Sequence, residues 1–181
     1  FSKAVRLVMQ EAARGALSGV HGPVSKLIYV EDRYTTAIET ALGAAMQNII
    51  VDDEASGKAA IQLLKRRDAG RATFLPLSTV TGRRLSEPSL ANMPGYVGVA
   101  SELMQTDGRY QGILENLLGR TVIASTLDDA IAMARKSANR VRIVTLDGQV
   151  MNPGGSMTGG SSAKSAGVLS RANELKRLEQ E

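Results

Sequence analysis

The paired glycines of NPGGSMTGGSS, residues 152–162, come nearer than any other stretch to the spacing of a phosphate-binding loop. Gly155 and Gly160 are separated like the two glycines of the P-loop, G-x-x-x-x-G-K-[ST], whose backbone N–H groups and lysine hold phosphates. Two serines follow Gly160, so the lysine is missing, and the dinucleotide pattern G-x-G-x-x-G does not occur here. Binding of a nucleotide or another small molecule by the Gly154–Gly160 loop is therefore kept as an alternative to the function inferred below.

The ionisable side chains offer little further chemistry. The single histidine, His21, lies in Gly-Val-His-Gly-Pro without a carboxylate or serine partner motif, and we expect its ring to be solvated in a turn. Because the chain has no cysteine, a metal would need an all-oxygen site. Asp52, Asp53 and Glu54 could suggest one, but a helix N-terminus accounts for these carboxylates. The sequence predicts no catalytic residue, no metal and no cofactor.

The composition excludes several classes of protein. Among the 181 residues, 43% are hydrophobic, which is enough for a core, and 3% are aromatic, which is too few for a base-stacking platform. No apolar run approaches the ~20 residues of a membrane span, and the N-terminal segment lacks the apolar region of a signal peptide. We expect a cytoplasmic protein without a membrane partner. The formal net charge of +4 permits an anionic partner such as nucleic acid.

The same glycines suit a surface that another polypeptide approaches closely. Val150 and Met151 predict a short strand, with Gly148 on one side and the glycines from Gly154 onward on the other. Positions without side chains let a neighbouring backbone lie against a strand, and an unpaired strand edge can extend a partner's sheet. A flexible linker is the other interpretation, because SSAKSAG after Gly160 has linker composition. The apolar strand within the segment favours the contact surface.

Two stretches of the chain, residues 37–77 and 112–148, repeat one order of elements. Each predicts a helix that ends at a glycine (Gly43 or Gly119), a β-branched strand, a helix with acidic start and basic end, and a buried strand. Such an order is typical of α/β domains. We predict two related α/β subdomains, joined by the polar segment 78–94, rather than one continuous sheet.

Both ends of the chain have the pattern of charged helices with a narrow apolar stripe. The helix within residues 1–18 is expected to stop at Gly19, and the helix within residues 166–181 to begin with Ser170 as its N-cap. The patterns are cut off, which indicates coiled-coil arms of a longer protein. Neither segment shows three heptads, so two ordinary amphipathic helices are the alternative.

Four blocks of the sequence, taken together, resemble one known family. DGQVMNPGGSMTGGS has the spacing G-x6-G-x3-GG-S and is similar to the glycine signature of the SMC (structural maintenance of chromosomes) hinge domain. GVHGPV, GRATFLPL and GVASEL resemble other blocks of that family and follow in the same order. The resemblance runs from Gly19 to Gly160 and is closest to the bacterial type of hinge.

The resemblance implies a non-catalytic dimerisation module, the hinge of an SMC ATPase that acts in chromosome condensation and segregation. Two α/β subdomains, residues 19–94 and 95–165, would lie between coiled-coil stubs at residues 1–18 and 166–181. A second copy of the hinge would complete a ring-like homodimer, and the parent protein would bind ATP and a kleisin through its heads. The residues expected at the dimer interface are Gly148, Val150, Gly154, Gly155, Gly159 and Gly160.

Hinges of this family also bind DNA through basic residues, so the resemblance implies weak, sequence-independent DNA binding and a nucleoid-associated location. Where a relative carries a lysine cluster after the last glycine pair, this chain has only Lys164. The remaining candidate DNA contacts are Lys65, Arg66, Arg67, Arg71, Arg83, Arg84, Arg135, Lys136, Arg140 and Arg142.

Overall fold

The structure, a computed structural model, describes residues 1–161 and 167–180, and it confirms the predicted mixed α/β class. The helices within those residues are α1 (Lys3–Ala13), α2 (Thr35–Leu42), α3 (Glu54–Arg66), α4 (Gln111–Leu118), α5 (Leu127–Lys136) and α6 (Val168–Gln180). The strands are β1 (Val20–Pro23), β2 (Ile28–Tyr29), β3 (Ile49–Val51), β4 (Phe74–Pro76), β5 (Tyr96–Val99), β6 (Gln105–Thr106), β7 (Thr121–Ala124), β8 (Arg142–Thr145), β9 (Val150–Met151) and β10 (Met157–Thr158). None of these helices has the length and hydropathy to cross a bilayer.

The chain divides into two compact units whose segments alternate along the sequence. Unit 1 comprises Phe1–Ile28, Ala44–Gly82 and Thr106–Ile113, and unit 2 comprises Tyr29–Gly43, Arg83–Gln105 and Leu114–Glu181. The predicted subdomains, by contrast, were contiguous. The two short exchanged segments account for the difference, because periodicity indicates what kind of element a segment forms but not which sheet it packs against.

Unit 1 is a three-stranded sheet with α1 and α3 packed against it. The strand order is β1-β3-β4, and the central β3 is antiparallel to β1 and parallel to β4. Val5 and Val8 of α1 pack in the same cluster as Leu63 and Leu64 of α3, and Val8 is fully buried. The charged N-terminal helix is therefore part of the hydrophobic core of unit 1.

Unit 2 is a five-stranded sheet in the order β10-β9-β8-β7-β5. β7 and β8 are parallel, and the other pairs are antiparallel. Met133 of α5 packs with Val122 of β7 and Ile143 of β8, and all three are fully buried. Helices α5 and α2 both contact β8, so this strand lies at the centre of the unit.

The predicted polar starts of the two repeat helices are confirmed. The Asp53 carboxylate accepts a hydrogen bond from the backbone N–H of Ser56 at 2.8 Å, and the Thr126 hydroxyl accepts one from Asp129 N–H at 3.1 Å. The hydrogen bonds from the backbone and then the side chain of Ser56 lower the pKa of Asp53 below its usual value. Asp53 thus caps α3, as the helix interpretation of the acidic cluster expected.

Two predicted helix boundaries are wrong. Helix α1 ends at Ala13, and Gly15, with φ of +84°, is the left-handed residue after it, so Gly19 lies beyond the helix. Helix α6 begins at Val168, which places Ser170 inside its first turn. The first error arose because an earlier glycine ends the helix, and the second because the start of α6 is capped from elsewhere in unit 2.

Candidate functional site

The outermost strand of the five-stranded sheet, β10, is the centre of the candidate site. Met157 pairs with Met151 and Thr158 with Val150, so one edge of β10 is joined to β9. Within the described residues no strand pairs with the other edge. Met157 is 56% exposed, whereas Val150 and Met151 are buried. The sequence pattern predicted β9 but missed β10, because two residues between glycines carry no periodic signal.

Of the glycines that flank β10, two before the strand and one after it have left-handed backbones. The φ angles are +92° at Gly154, +104° at Gly155 and +134° at Gly160. A Cβ built on Gly154 or Gly160 would have no other atom of the chain within 4 Å, and one on Gly155 would make ordinary contact with Asn139 at 3.7 Å. Gly154 and Gly160 therefore leave open space beside the chain, which an approaching backbone could occupy.

Gly159 and Gln149 hold the end of this segment. The Gln149 side chain accepts a hydrogen bond from Gly160 N–H at 2.8 Å and donates one to Gly160 O at 3.0 Å. A Cβ on Gly159 would overlap the Gln149 amide. Sequence reasoning missed Gln149, because nothing in the pattern links it to a residue eleven positions later.

Gly148 and Val150, also predicted at the interface, face the interior of unit 2. A Cβ on Gly148 would lie 2.9 Å from Thr40 Oγ1 and 3.3 Å from Thr36 Cγ2, so this glycine lets the β8–β9 turn contact α2. Val150 is 5% exposed, in a strand flanked on both sides. Both residues therefore pack inside unit 2. These contacts within the chain explain why one position is a glycine and the other an apolar residue.

The basic candidates of unit 1 lie at and after the end of α3. Lys65 and Arg66 are exposed, and among the described residues neither forms an ion pair. Lys58, which sequence reasoning missed, is exposed on the same helix and precedes Lys65 by seven residues, two helical turns. Arg67 is 3.7 Å from the buried Glu11 carboxylate, and Arg71 is exposed. Lys58 and Lys65 thus lie on one side of α3, and the other three cations lie at or beyond its C-terminal end.

The basic candidates of unit 2 are more dispersed. Two of them are neutralised by carboxylates: Arg84 lies 3.3 Å from Glu115, and Arg140 lies 3.1 Å from Glu87. The other exposed ones are Arg83, Arg135 and Lys136. Lys164 lies outside the described residues.

Arg142 is not placed to be a surface cation. Its Nη1 donates a hydrogen bond to the Ala41 carbonyl at 2.7 Å, at the last turn of α2. Half-burial lowers the pKa of the guanidinium by desolvation. A cation at the C-terminal end of a helix interacts favourably with the helix dipole. The position therefore indicates a structural role, joining β8 to α2.

The expectation of a solvated histidine is wrong. In unit 1, His21 Nδ1 lies 2.8 Å from Tyr110 Oη, and Nε2 lies 2.6 Å from Asp52 Oδ1. The imidazole side chain is 16% exposed. Tyr110 is buried, and the three groups join the 108–110 segment to β1 and to Asp52, the residue after β3, within unit 1. Their sequence separation hid this arrangement from pattern analysis.

The sequence matches one protein family and several curated relatives. The model of the SMC proteins Flexible Hinge Domain matches residues 17–134. The chain is 45% identical over 179 residues to the chromosome partition protein Smc of Bacillus subtilis (strain 168), a match that covers 97% of this chain and 15% of that protein. For the same protein of Lactiplantibacillus plantarum, identity is 44%, with 90% of this chain and 14% of the relative covered. The chain corresponds to a small part of these relatives' length.

Two solved structures share the fold described above. The crystal structure of an asymmetric dimer of the Geobacillus stearothermophilus SMC hinge domain matches with a TM-score of 0.91 and 45% identity, over 99% of this chain and 73% of that chain. The Pyrococcus furiosus SMC hinge domain matches with a TM-score of 0.73 and 30% identity, over 88% of this chain and 80% of that one.

Proposed function

This chain belongs to the SMC hinge family, and we propose that it is the dimerisation hinge of a chromosome-organising SMC ATPase. The observation that carries the proposal is the edge of β10, where the apolar Met157 stands 56% exposed between glycines. An exposed apolar strand edge is a liability in a monomer, and natural proteins cover it or use it. If a second copy covers this edge, the cover accounts both for the exposed apolar side chain of Met157 and for the glycines, which have no side chains, on either side of it.

In the proposed dimer, β10 of one copy meets an outer strand of unit 1 in the other. Of the two outer strands there, β1 ends in two buried residues, whereas all three residues of β4 are half-buried and have surface left to cover. We therefore assign β4 as the partner of β10. A two-fold axis would make two such contacts in each dimer.

The geometry of the loop favours this function over nucleotide binding. Gly154 and Gly155 lie in the turn between the antiparallel strands β9 and β10. A P-loop instead joins a strand to a helix, whose N-terminal N–H groups bind the phosphates. Thermal unfolding with and without added ATP and magnesium tests the alternative, which requires a nucleotide-dependent increase in Tm.

Sedimentation equilibrium of this fragment tests the dimer directly. At low micromolar concentration we expect the mass of two chains, since both β10 edges would be covered in a closed pair. A clean monomer across that range would contradict the proposed function while leaving the fold and family in place. The cross-check is a mixture of differently tagged copies, which must co-purify after subunit exchange.

Weak DNA binding is a second proposed activity, supported by the exposed cations Lys65 and Arg66, which have no ion-pair partner among the described residues. Lys65→Gln with Arg66→Gln is expected to lower affinity for duplex DNA roughly tenfold at low salt. The slope of log affinity against log salt should also fall by about one unit for each phosphate that is no longer neutralised. Filter binding or fluorescence anisotropy over a salt series measures both quantities.

The control removes the same charge from cations that already have local carboxylate partners. Arg33 pairs with Glu31 at 3.0 Å and Arg109 with Asp107 at 3.1 Å, so Arg33→Gln with Arg109→Gln should leave DNA affinity near that of the parent. Equal losses of DNA affinity in the two double variants would show that net charge alone determines binding. Unchanged affinity in both would exclude Lys65 and Arg66 as DNA contacts.

The remaining partners belong to the whole protein. We propose ATP and kleisin binding by heads outside this segment, a non-catalytic role for the segment itself, and a nucleoid-associated location. The support is the identity to chromosome partition proteins, of which this chain covers 15% in the Bacillus subtilis case.

A further inference from the structure

The N-terminal end of α6 is capped by a side chain from another helix. Glu39 of α2 is 7% exposed. Its Oε2 accepts a hydrogen bond from Gly167 N–H at 3.0 Å, and its Oε1 accepts one from Leu169 N–H at 2.6 Å. The first N–H groups of a helix have no partner inside the helix, and a carboxylate there also interacts favourably with the helix dipole. Glu39 therefore caps α6 from another helix, whereas α3 is capped by its own N-cap residue, Asp53.

Further contacts fix the first two turns of α6 to the first residue of α2 and to the segment that leads into α2. Thr35 Oγ1 lies 3.1 Å from Ser170 Oγ. The Asn173 amide donates hydrogen bonds to Val30 O at 2.7 Å and to Asp32 Oδ1 at 2.8 Å, and Asn173 is itself buried. The start of α6 is thus held by polar contacts on two of its turns, all within unit 2.

Helix α2 also contacts the turn between β8 and β9, the strand that pairs with β10. Gly148, between β8 and β9, packs on the side chains of Thr36 and Thr40. Arg142 of β8 donates to the carbonyl of Ala41 near the other end of α2. Helix α2 therefore touches α6 through one set of side chains and the β8–β9 region through another.

We infer that α2 is the positioning element that sets the direction in which α6 leaves the sheet, with Glu39 as its main contact. The inference rests on the proposed function, because it takes α6 as the start of the C-terminal coiled-coil arm of the SMC protein. The arm's direction would then be set by the same sheet whose β10 edge meets the second copy. Gly167 precedes α6 with φ of +103° and has no side chain that could cap the helix, so the position of its start depends on α2.

Distance measurements between spin labels test the inference. Because the chain has no cysteine, Arg171→Cys on α6 and Asp128→Cys on α5, both exposed, provide the only two labelling sites. In the Glu39→Gln variant the amide can accept one of the two hydrogen bonds but turns N–H groups toward the other. We expect the distance distribution to become about twofold wider, and amide exchange at Gly167 and Leu169 to become about tenfold faster.

The matched control is Glu174→Gln, which makes the same chemical change at an exposed position on α6. It should keep the parent distribution and exchange rates. Asn173→Ala, which removes the second-turn contacts, should also widen the distribution, and this variant serves if Glu39→Gln does not fold. A folded Glu39→Gln chain with parent width and parent exchange at Leu169 would overturn the inference.

The dimer mass, measured on the same samples, keeps the two proposals separate. A wider distribution in a chain that remains dimeric supports α2 as the positioning element. A monomeric parent would contradict the proposed function, yet the label distances within one chain would still report whether Glu39 holds α6. A merely stabilising role for Glu39 would lower Tm without widening the distances at temperatures well below unfolding.

Discussion

Met157→Glu is expected to convert the proposed dimer into a monomer at micromolar concentration. The substitution keeps the length of the side chain but places a carboxylate on the β10 edge, where docking would remove it from water without a partner. We expect Met157 to be one of the few hot-spot side chains of the interface, whose loss costs about 2 kcal/mol or more. Because a two-fold dimer contains the side chain twice, the dimer would be weakened by about 4 kcal/mol, which raises the dissociation constant roughly a thousandfold.

Sedimentation equilibrium of the variant beside the parent measures the effect. Ile61→Glu is the control, since Ile61 is 53% exposed on α3 and the substitution puts the same carboxylate on a different element. Circular dichroism should show both variants as folded as the parent, because each side chain is exposed within its chain. A dimeric Met157→Glu chain would refute β10 as the interface, and equal dissociation in both variants would show that the effect is not specific to β10.

Gly148→Ala is expected to destabilise unit 2 of the single chain by about 2–4 kcal/mol, from left-handed strain in a non-glycine residue and from crowding in a packed contact. The φ angle at Gly148 is +88°, and a Cβ would meet Thr40 Oγ1 at 2.9 Å. That hydroxyl donates a hydrogen bond to Thr36 O at 2.8 Å, so it cannot turn away freely. Urea unfolding followed by circular dichroism gives the change in the free energy of unfolding.

Gly154→Ala separates strain from contact. Gly154 has a similar φ of +92°, but a Cβ there meets nothing within 4 Å, so only the strain of about 1 kcal/mol should appear. Both substitutions are best compared in the Met157→Glu background, where dimer formation does not contribute to the measured stability. Equal losses of stability at the two positions would mean that the packing of Gly148 on α2 contributes nothing.

Local sequence patterns were sufficient to predict most of the helices and strands, and the family. Helices α3 and α5 and strand β7 follow from apolar periodicity, acidic starts and β-branched runs, which act between residues a few positions apart. The family followed from four short blocks in order. The family-model match over residues 17–134 and the 45% identity to the Bacillus subtilis protein over 179 residues confirm the family. The edge strand β10 was missed because two residues carry too little pattern, although the glycines around it marked the place.

The contacts of individual predicted residues became visible only in the folded chain. Gly148 and Gly154 belong to one glycine signature, yet one packs on α2 and the other faces open space. Ser170 has the side chain of an N-cap, but Glu39, far away in sequence, caps α6. Arg142 has the charge of a DNA contact, but its guanidinium lies half-buried against a helix end. Capping, packing and desolvation depend on neighbours that folding brings together, and local sequence patterns carry no information about those neighbours.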